Sequence, residues 1–406
     1  MGRLRSYSYL PQDLLEEILT RLPVISIIRF KCVNKSWYNL FENHTFIAKH
    51  HRHHSSQKNP SLLVEVEDST TIPQRSVMSL HLADGLDSGV SLDMPFIPER
   101  LVYISDCING IICLRELSSR LVLWNPAVRE YKVIPNPPSH VHSPSNVCYD
   151  YPTFAFGYDH ISNDYKLVQI GTYSTVLYDS IDQILHPVVH IYTLSTDSWR
   201  QIDTGFDHSI LNFPGECSNN LYLNGVYHWP GCIILDKHGQ HCEVIVCFDM
   251  RDEVFQIMKM PNLGDISHIE KIWKTAAVLN DCAAVIIYDL KQTKQFDIWV
   301  MNEYGVEESW TKQFVIGPLI VELTLHDQLL LVDDKLALIN DKGHILLHDF
   351  GAQEIKHLQL RNLPGSVFVS QAITYVESLV SVTRGKVEAK KRGYKNSILN
   401  RVICCK

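Results

Sequence analysis

One kind of hairpin recurs along this chain, and it constrains the fold more than any other feature. An apolar strand, a polar turn and a second strand appear at Leu121–Pro135 (LVLWNPAVREYKVIP), His190–Ile202 (HIYTLSTDSWRQI), Val244–Pro261, Phe296–Phe314 and His344–Leu358. With Trp124, Tyr192, Phe248, Trp299 and Leu347 taken as equivalent, the steps are 68, 56, 51 and 48 residues. Each hairpin follows another strand pair, often joined by a small polar or glycine turn, at 107–114, 154–170, 221–229, 277–289 and 329–340. Four short strands in about 50 residues is the spacing of a β-propeller blade. Five such units are visible. A sixth is expected from strands near 61–104 and 366–383, so that the two ends of the domain close the ring and remove exposed edges. A pair of packed sheets gives similar strand patterns, but the repeating step favours a propeller. Trp124, Trp199, Trp229, Trp299 and Trp310 are expected to pack between blades.

The first fifty residues have a different period. Leu14, Leu15, Ile18, Leu19 and Leu22 recur at helical spacing after Leu10-Pro11, and Pro23 ends that helix. A second helical segment is expected over Ser26–Val33, with Ser26 as N-cap, and a third from Lys35 to Ala48. Three short helices bury little surface alone, so an apolar stripe is left for a partner or for the following domain. His50-His51-Arg52-His53-His54 comes next. No second, distant ligand pair accompanies it, so it reads as part of a solvated linker over 51–60 and not as a metal site.

Charge and composition narrow the function classes. The chain carries a net −8, yet residues 384–406 hold eight basic side chains and one acidic, leaving −15 on the first 383 residues. An acidic body argues against nucleic-acid binding and suits a basic protein partner. No apolar run has the length of a membrane helix, and acidic residues interrupt the N-terminal apolar run, so a cytoplasmic or nuclear protein is expected. The eleven cysteines are an odd, scattered set that reads as reduced, buried side chains. No phosphate loop, HExxH pair or GxSxG elbow is present, and Cys242 and Cys247 lack a second pair at zinc-finger spacing. No catalytic residue, metal or cofactor is assigned. The segment 384–406 reads as a disordered basic tail.

The stretch LPQDLLEEILTRLPVISIIRFKCVNKSWYNL, Leu10 to Leu40, resembles an F-box through its Leu10-Pro11, Arg21-Leu22-Pro23, Arg29-Phe30-Lys31-Cys32-Val33 and Lys35-Ser36-Trp37 pieces. The resemblance implies a three-helix module over residues 5–50 that docks onto a Skp1-like adaptor, and through it onto cullin and RING subunits. On that reading Leu10, Pro11, Leu14, Ile18, Leu22, Pro23, Ile27 and Val33 present apolar surface to the adaptor. Phe30 and Trp37 fix the small helices against each other and share part of their surface with it. Arg29, Lys31 and Lys35 are expected at the rim. A few such side chains, at roughly 1.5–3 kcal/mol each, suffice for a stable interface after the cost of association.

Residues 61–383 resemble the F-box-associated, kelch-like domain of plant F-box proteins, through NGIICL, LWNPAVREYKVIP, FGYD, NDYKLV, VHIYTLSTDSWRQI and YLNGVYHW. FVIGPLIVE and the closing AITYVESLVSV at 372–382 are similar to the pollen S-locus F-box group, which discriminates stylar ribonucleases in self-incompatibility. The resemblance implies a non-catalytic substrate-recognition subunit of an SCF ubiquitin ligase whose target is a basic S-ribonuclease. The alternatives are a general plant F-box receptor for another protein and a non-ligase binding adaptor; a propeller enzyme is a third reading. Target contacts are expected on the long loops His140–Tyr151, Thr172–Pro187, Phe206–Asn220 and Asp236–Cys242, with Tyr173, Tyr178 and Asp182 as candidates.

Overall fold

The computed structural model describes residues 10–56, 61–68, 75–82, 85–94, 102–116, 120–137, 147–149, 152–177, 180–203, 211–212, 221–234, 241–262, 272–289, 295–318, 328–332, 335–340, 342–360 and 367–383. Four helices come first: α1 (Gln12–Thr20), α2 (Val24–Phe30), α3 (Lys35–Phe41) and α4 (His44–Ser55). Pro11 and Pro23 stand at the N-caps of α1 and α2, where a missing N–H costs nothing. Ser26 therefore lies inside α2 and caps nothing. The single third helix expected from Lys35 to Ala48 is two. The Asn34 side chain accepts from Trp37 N to start α3, and the Asn43 side chain accepts from Thr45 N to start α4.

The histidine run is not a linker. It continues α4 to Ser55, and His50 is fully buried, one turn after Phe46 on the same helix face. Its Nε2 lies 2.8 Å from the Leu22 carbonyl oxygen, and its ring is 4.4 Å from that of His54.

The strands form six sheets. The first blade holds β1 (Ser61–Asp68), β2 (Arg75–Leu82) and β3 (Gly85–Leu92). The second is β4 (Val102–Ile108), β5 (Ile111–Glu116), β6 (Leu121–Asn125) and β7 (Glu130–Val133). The third holds β8 (Val147–Tyr149), β9 (Thr153–Asp159), β10 (Asp164–Leu177), β11 (Ser180–Thr193) and β12 (Ser198–Ile202). The fourth holds β13 (Leu211–Asn212), β14 (Leu221–Leu223), β15 (Val226–Ile234), β16 (His241–Asp249) and β17 (Phe255–Lys259). The fifth is β18 (Ile272–Leu279), β19 (Cys282–Asp289), β20 (Phe296–Met301) and β21 (Trp310–Ile316). The sixth is β22 (Gln328–Val332), β23 (Lys335–Ile339), β24 (His344–Asp349) and β25 (Ile355–Gln359). The last strand, β26 (Val367–Tyr375), returns to the first blade, whose order is β26-β1-β2-β3. The pairing Ser61↔Tyr375 through Asp68↔Val367 closes the ring.

Closure is also visible in the core. Leu62, Val64 and Val66 of the first blade pack on Ala337, Ile339 and Ile345 of the sixth, while Leu63 and Met78 pack on Val102, Ile112 and Trp124 of the second. Each remaining pair of neighbouring blades shares an apolar cluster of its own. The sequence tryptophans lie in these seams: Trp124 and Trp229 are buried, Trp310 nearly so, and Trp199 and Trp299 pack at the margins.

Turn chemistry explains the repeat. The turns Asn109-Gly110, Asn224-Gly225 and Asn280-Asp281 place both central residues at positive φ, the left-handed pair that joins twisted strands tightly. In the outer hairpins a left-handed residue (Arg129, Asp197, Glu253 or Gln353) falls four positions after Asn125, Thr193, Asp249 and Asp349. The Asp249 and Asp349 carboxylates each accept two backbone N–H groups of their turn. These turn residues fix the equivalence, so His348, and not Leu347, matches Trp124, Tyr192 and Phe248.

Candidate docking faces

The helical module has a small core of its own. Leu19, Val24, Ile27, Phe41, Phe46 and Ile47 are buried together, with Leu379 from beyond β26 among them. An aromatic chain runs through it, with ring centroids 5.5 Å apart for Phe30 and Trp37, 6.1 Å for Trp37 and Phe41, and 5.3 Å for Phe41 and Phe46. Phe30 and Trp37 are half-buried and tie α2 to α3.

The other side of these helices is apolar and open. Leu10, Leu14, Ile18 and Val33 are 57%, 53%, 49% and 58% exposed, and Pro11 and Pro23 are exposed beside them. Leu14 and Ile18 lie one turn apart on α1, and the adjoining face, about 100° round the helix, carries Leu15 and Leu19 into the core. Leu22 is half-buried. Ile27 differs from expectation: it is fully buried inside the module and offers a partner no surface. Its place in the α2 pattern is inward, whereas Ile25, two residues earlier, is 43% exposed. Ile25 and the exposed Tyr38 were not singled out from the sequence; the short α2 and α3 leave too little periodicity to assign a face.

Charges border this surface. Lys49 pairs with Glu16 and Glu17 at 3.6 and 3.2 Å, and Arg21 pairs with Glu17 at 3.0 Å. Hydrogen bonds from Arg21 and Lys49 hold the Glu17 carboxyl below its ordinary range. Lys31 is pinned to Glu42 at 2.7 Å, so of the expected rim cations it is the one with an internal partner on α3's C-cap.

The module sits on one face of the ring. It touches Ala127 and Val128 in the β6–β7 turn, and His44 Nδ1 lies 2.6 Å from Asn163 Nδ2 in the β9–β10 turn. In up-and-down blades these turns leave the same face, while the connections between second and third strands, and between blades, leave the opposite one. Of the four long loops expected to carry recognition, His140–Tyr151, Phe206–Asn220 and Asp236–Cys242 lie mostly outside the described residues, while the strands that bear Thr172–Pro187 run towards that opposite face. There β10 and β11 are each 14 residues long, against seven for β9, and continue as a ribbon past the blade. The ribbon pairs Tyr173↔Leu185 through Leu177↔Ser180, and β8 lies alongside Tyr173–Thr175. The backbones of Tyr173 and Asp182 are on this ribbon; Tyr178 lies outside the described residues.

Several strongly shifted groups in the propeller are shifted by burial, whereas at Asp159 burial is outweighed by hydrogen bonds from Ser162, Ile161 and Lys166, which hold the carboxyl well below its ordinary range. Asp106 accepts from Tyr227 Oη at 2.6 Å and from Phe156 N at 3.3 Å, and desolvation still pushes its carboxyl up to about 7. The Cys107 and Cys247 thiols are pushed up to about 12, away from the thiolate a nucleophile needs. Among the described residues no group of three His, Cys, Asp or Glu is placed to hold a metal ion.

Comparison with known proteins agrees with both modules. The F-box domain model matches residues 8–49, and the F-box associated beta propeller domain model matches residues 77–382. The chain is 26% identical to F-box protein CPR1 of Arabidopsis thaliana over 93% of its own length and 90% of that protein. It is 27% identical to F-box/WD-40 repeat-containing protein 1 of the same plant, over 76% of this chain and 69% of that one. Among solved structures, apo AztD from Citrobacter koseri aligns over 79% of this chain and 99% of its own at a TM-score of 0.34 and 9% identity, too low a likeness to carry an argument. The chain belongs to the F-box proteins that carry an F-box associated β-propeller domain.

Proposed function

We propose that this protein is the target-recognition subunit of an SCF ubiquitin ligase. The observation that carries this reading is the opposition of two surfaces: an uncovered apolar stripe on α1 and its flanks, and the long β10–β11 ribbon on the propeller face opposite the one on which the helices sit. The stripe suits a Skp1-like adaptor, which contributes apolar helices and links the chain to cullin and RING subunits. The propeller then holds a protein target near the conjugating enzyme, and the rate gain comes from effective concentration, with the bond chemistry performed by the other subunits. Such a complex works in the cytosol or nucleus.

For the target we propose a basic stylar ribonuclease. Two features support this: the −15 charge of the first 383 residues, and the likeness of residues 372–382 to the S-locus group. The test is co-purification with a Skp1-like adaptor from the native tissue. Leu14→Asp/Ile18→Asp is expected to lose the adaptor while keeping the propeller folded and the ribonuclease bound. Equal adaptor recovery by the wild type and the double variant would remove the ligase reading. Equal affinity for a basic protein of unrelated fold would remove the ribonuclease.

A further inference from the structure

Beyond β26 the chain neither ends on the propeller rim nor runs free. Residues Val376–Thr383 lie as a strap without regular secondary structure between the F-box and the second blade. Leu379 is buried in the F-box core with Val24, Ile27 and Phe41, while Val382 is buried in the seam between the second and third blades. Two side chains of the second blade grip the strap between those anchors. Asn125, fully buried, donates from Nδ2 to Ser378 O, Ser378 Oγ and Val380 O at 3.1, 3.2 and 2.8 Å. The Glu130 carboxylate accepts from Ser381 Oγ, Val382 N and Thr383 Oγ1. A third contact is steric. Gly110, at φ +73, lies so close that a Cβ there would stand 2.7 Å from both Ser378 Oγ and the Val376 carbonyl oxygen.

We propose that the strap is a keystone. It holds the F-box at one bearing to the propeller, and Asn125, Glu130 and Leu379 act as positioning residues for ubiquitin transfer. The functional half of this proposal rests on the ligase reading; the mechanical half does not. Apart from the strap, the contacts seen between F-box and propeller among the described residues are at the β6–β7 and β9–β10 turns, two short loops that make a weak hold on an orientation by themselves. The strap adds a side chain shared by the F-box core and a hydrogen-bonded grip on the blade, so neither module can rotate without breaking it. A fixed bearing matters because ubiquitin transfer requires the target lysine to stay within reach of a conjugating enzyme held on the far side of the adaptor.

The experiment uses the full chain, assembled with adaptor, cullin and RING subunits, and carries non-cysteine labels on the F-box at Lys35 and on the propeller at Lys356. Leu379→Asp removes the strap from the F-box core; Glu130→Ala loosens it from the blade and touches no F-box residue. Both are expected to broaden the label distance distribution and to lower kcat for ubiquitin transfer about tenfold, with target KM and adaptor capture unchanged. Leu379→Met is expected to behave as wild type. A narrow distribution and unchanged kcat in Glu130→Ala overturns the proposal, as does a fall in adaptor capture or a rise in KM that matches the loss of kcat. If Leu379→Asp unfolds the F-box, Glu130→Ala alone decides. Failure of the ligase reading shows separately, as a wild type that captures no adaptor while its label distances still respond to Glu130→Ala.

Discussion

Glu65 sits in the closing blade with 1% of its surface exposed, and the nearby Ser76 and Ser370 hydroxyls offset only part of the cost of burying its carboxyl. Burial pushes its pKa up to about 8, from 4.5, and Glu67 adds repulsion. The folded chain therefore keeps a proton that the unfolded chain releases above pH 4.5. Stability falls as pH rises from 4.5 to about 8 and is level above that. Glu65→Gln is expected to erase this slope and to stabilise the protein at pH 7 by at most roughly 3 kcal/mol. Denaturant titrations at pH 5 and pH 8 check this; an unchanged difference between the two pH values in the variant would refute it. His50 behaves oppositely. Desolvation lowers its pKa to about 4, so it is neutral in the fold and takes a proton on unfolding below 6.5. The F-box is then fully stable above pH 6.5 and weakens as pH falls towards 4. His50→Gln, which keeps a donor for the Leu22 carbonyl, is expected to flatten that acid limb of the helical melting curve.

At the scale of elements, the sequence was informative wherever a residue type has one conformational use. Pro11 marked the start of α1 and Pro23 its end, and the Asn-Gly turns marked the inner hairpins; that Pro23 also caps α2 was missed in favour of Ser26. The break between α3 and α4 was missed because Asn43 is a common residue that acts as a cap only in the right backbone conformation. The burial of Ile27 and His50 was missed for a related reason: in helices of two or three turns, the inward face is decided by what packs on them. The strap was quoted only as a likeness. Its partners, Gly110, Asn125 and Glu130, lie in two other quoted stretches, NGIICL and LWNPAVREYKVIP, and only the closed ring brings the three together. The β10–β11 ribbon carries its own prediction. Replacing Tyr173–Leu185 by a two-residue turn is expected to abolish target binding and to leave adaptor capture unchanged, measured by titration of each partner in turn. Retained target affinity would move the recognition surface to another loop.

The whole molecule holds two surfaces apart with a ring between them. The five-unit repeat and the expected sixth blade were visible in the strand spacing, because turn residues punctuate a propeller regularly. The seat of the F-box was not visible, since it depends on which blade turns face it. A ring stiffens what it carries: every blade seam is an apolar cluster buried on both sides, so a load on one face reaches the other with little give.

The pairing of β1 with β26 also sets a schedule. Ser61–Asp68 leaves the ribosome roughly three hundred residues before its partner Val367–Tyr375, and chains are made at about 5–20 residues per second. For tens of seconds the first blade lacks its inner strand, and Leu62, Val64 and Val66 have no finished seam to enter. Over that interval the nascent chain presents an unpaired strand edge beside apolar side chains, the kind of surface that chaperones hold. The helices precede the ring in the chain and can form early, but Leu379 reaches their core only after β26 has been made. An F-box completed in this way is a report that the ring behind it has been made.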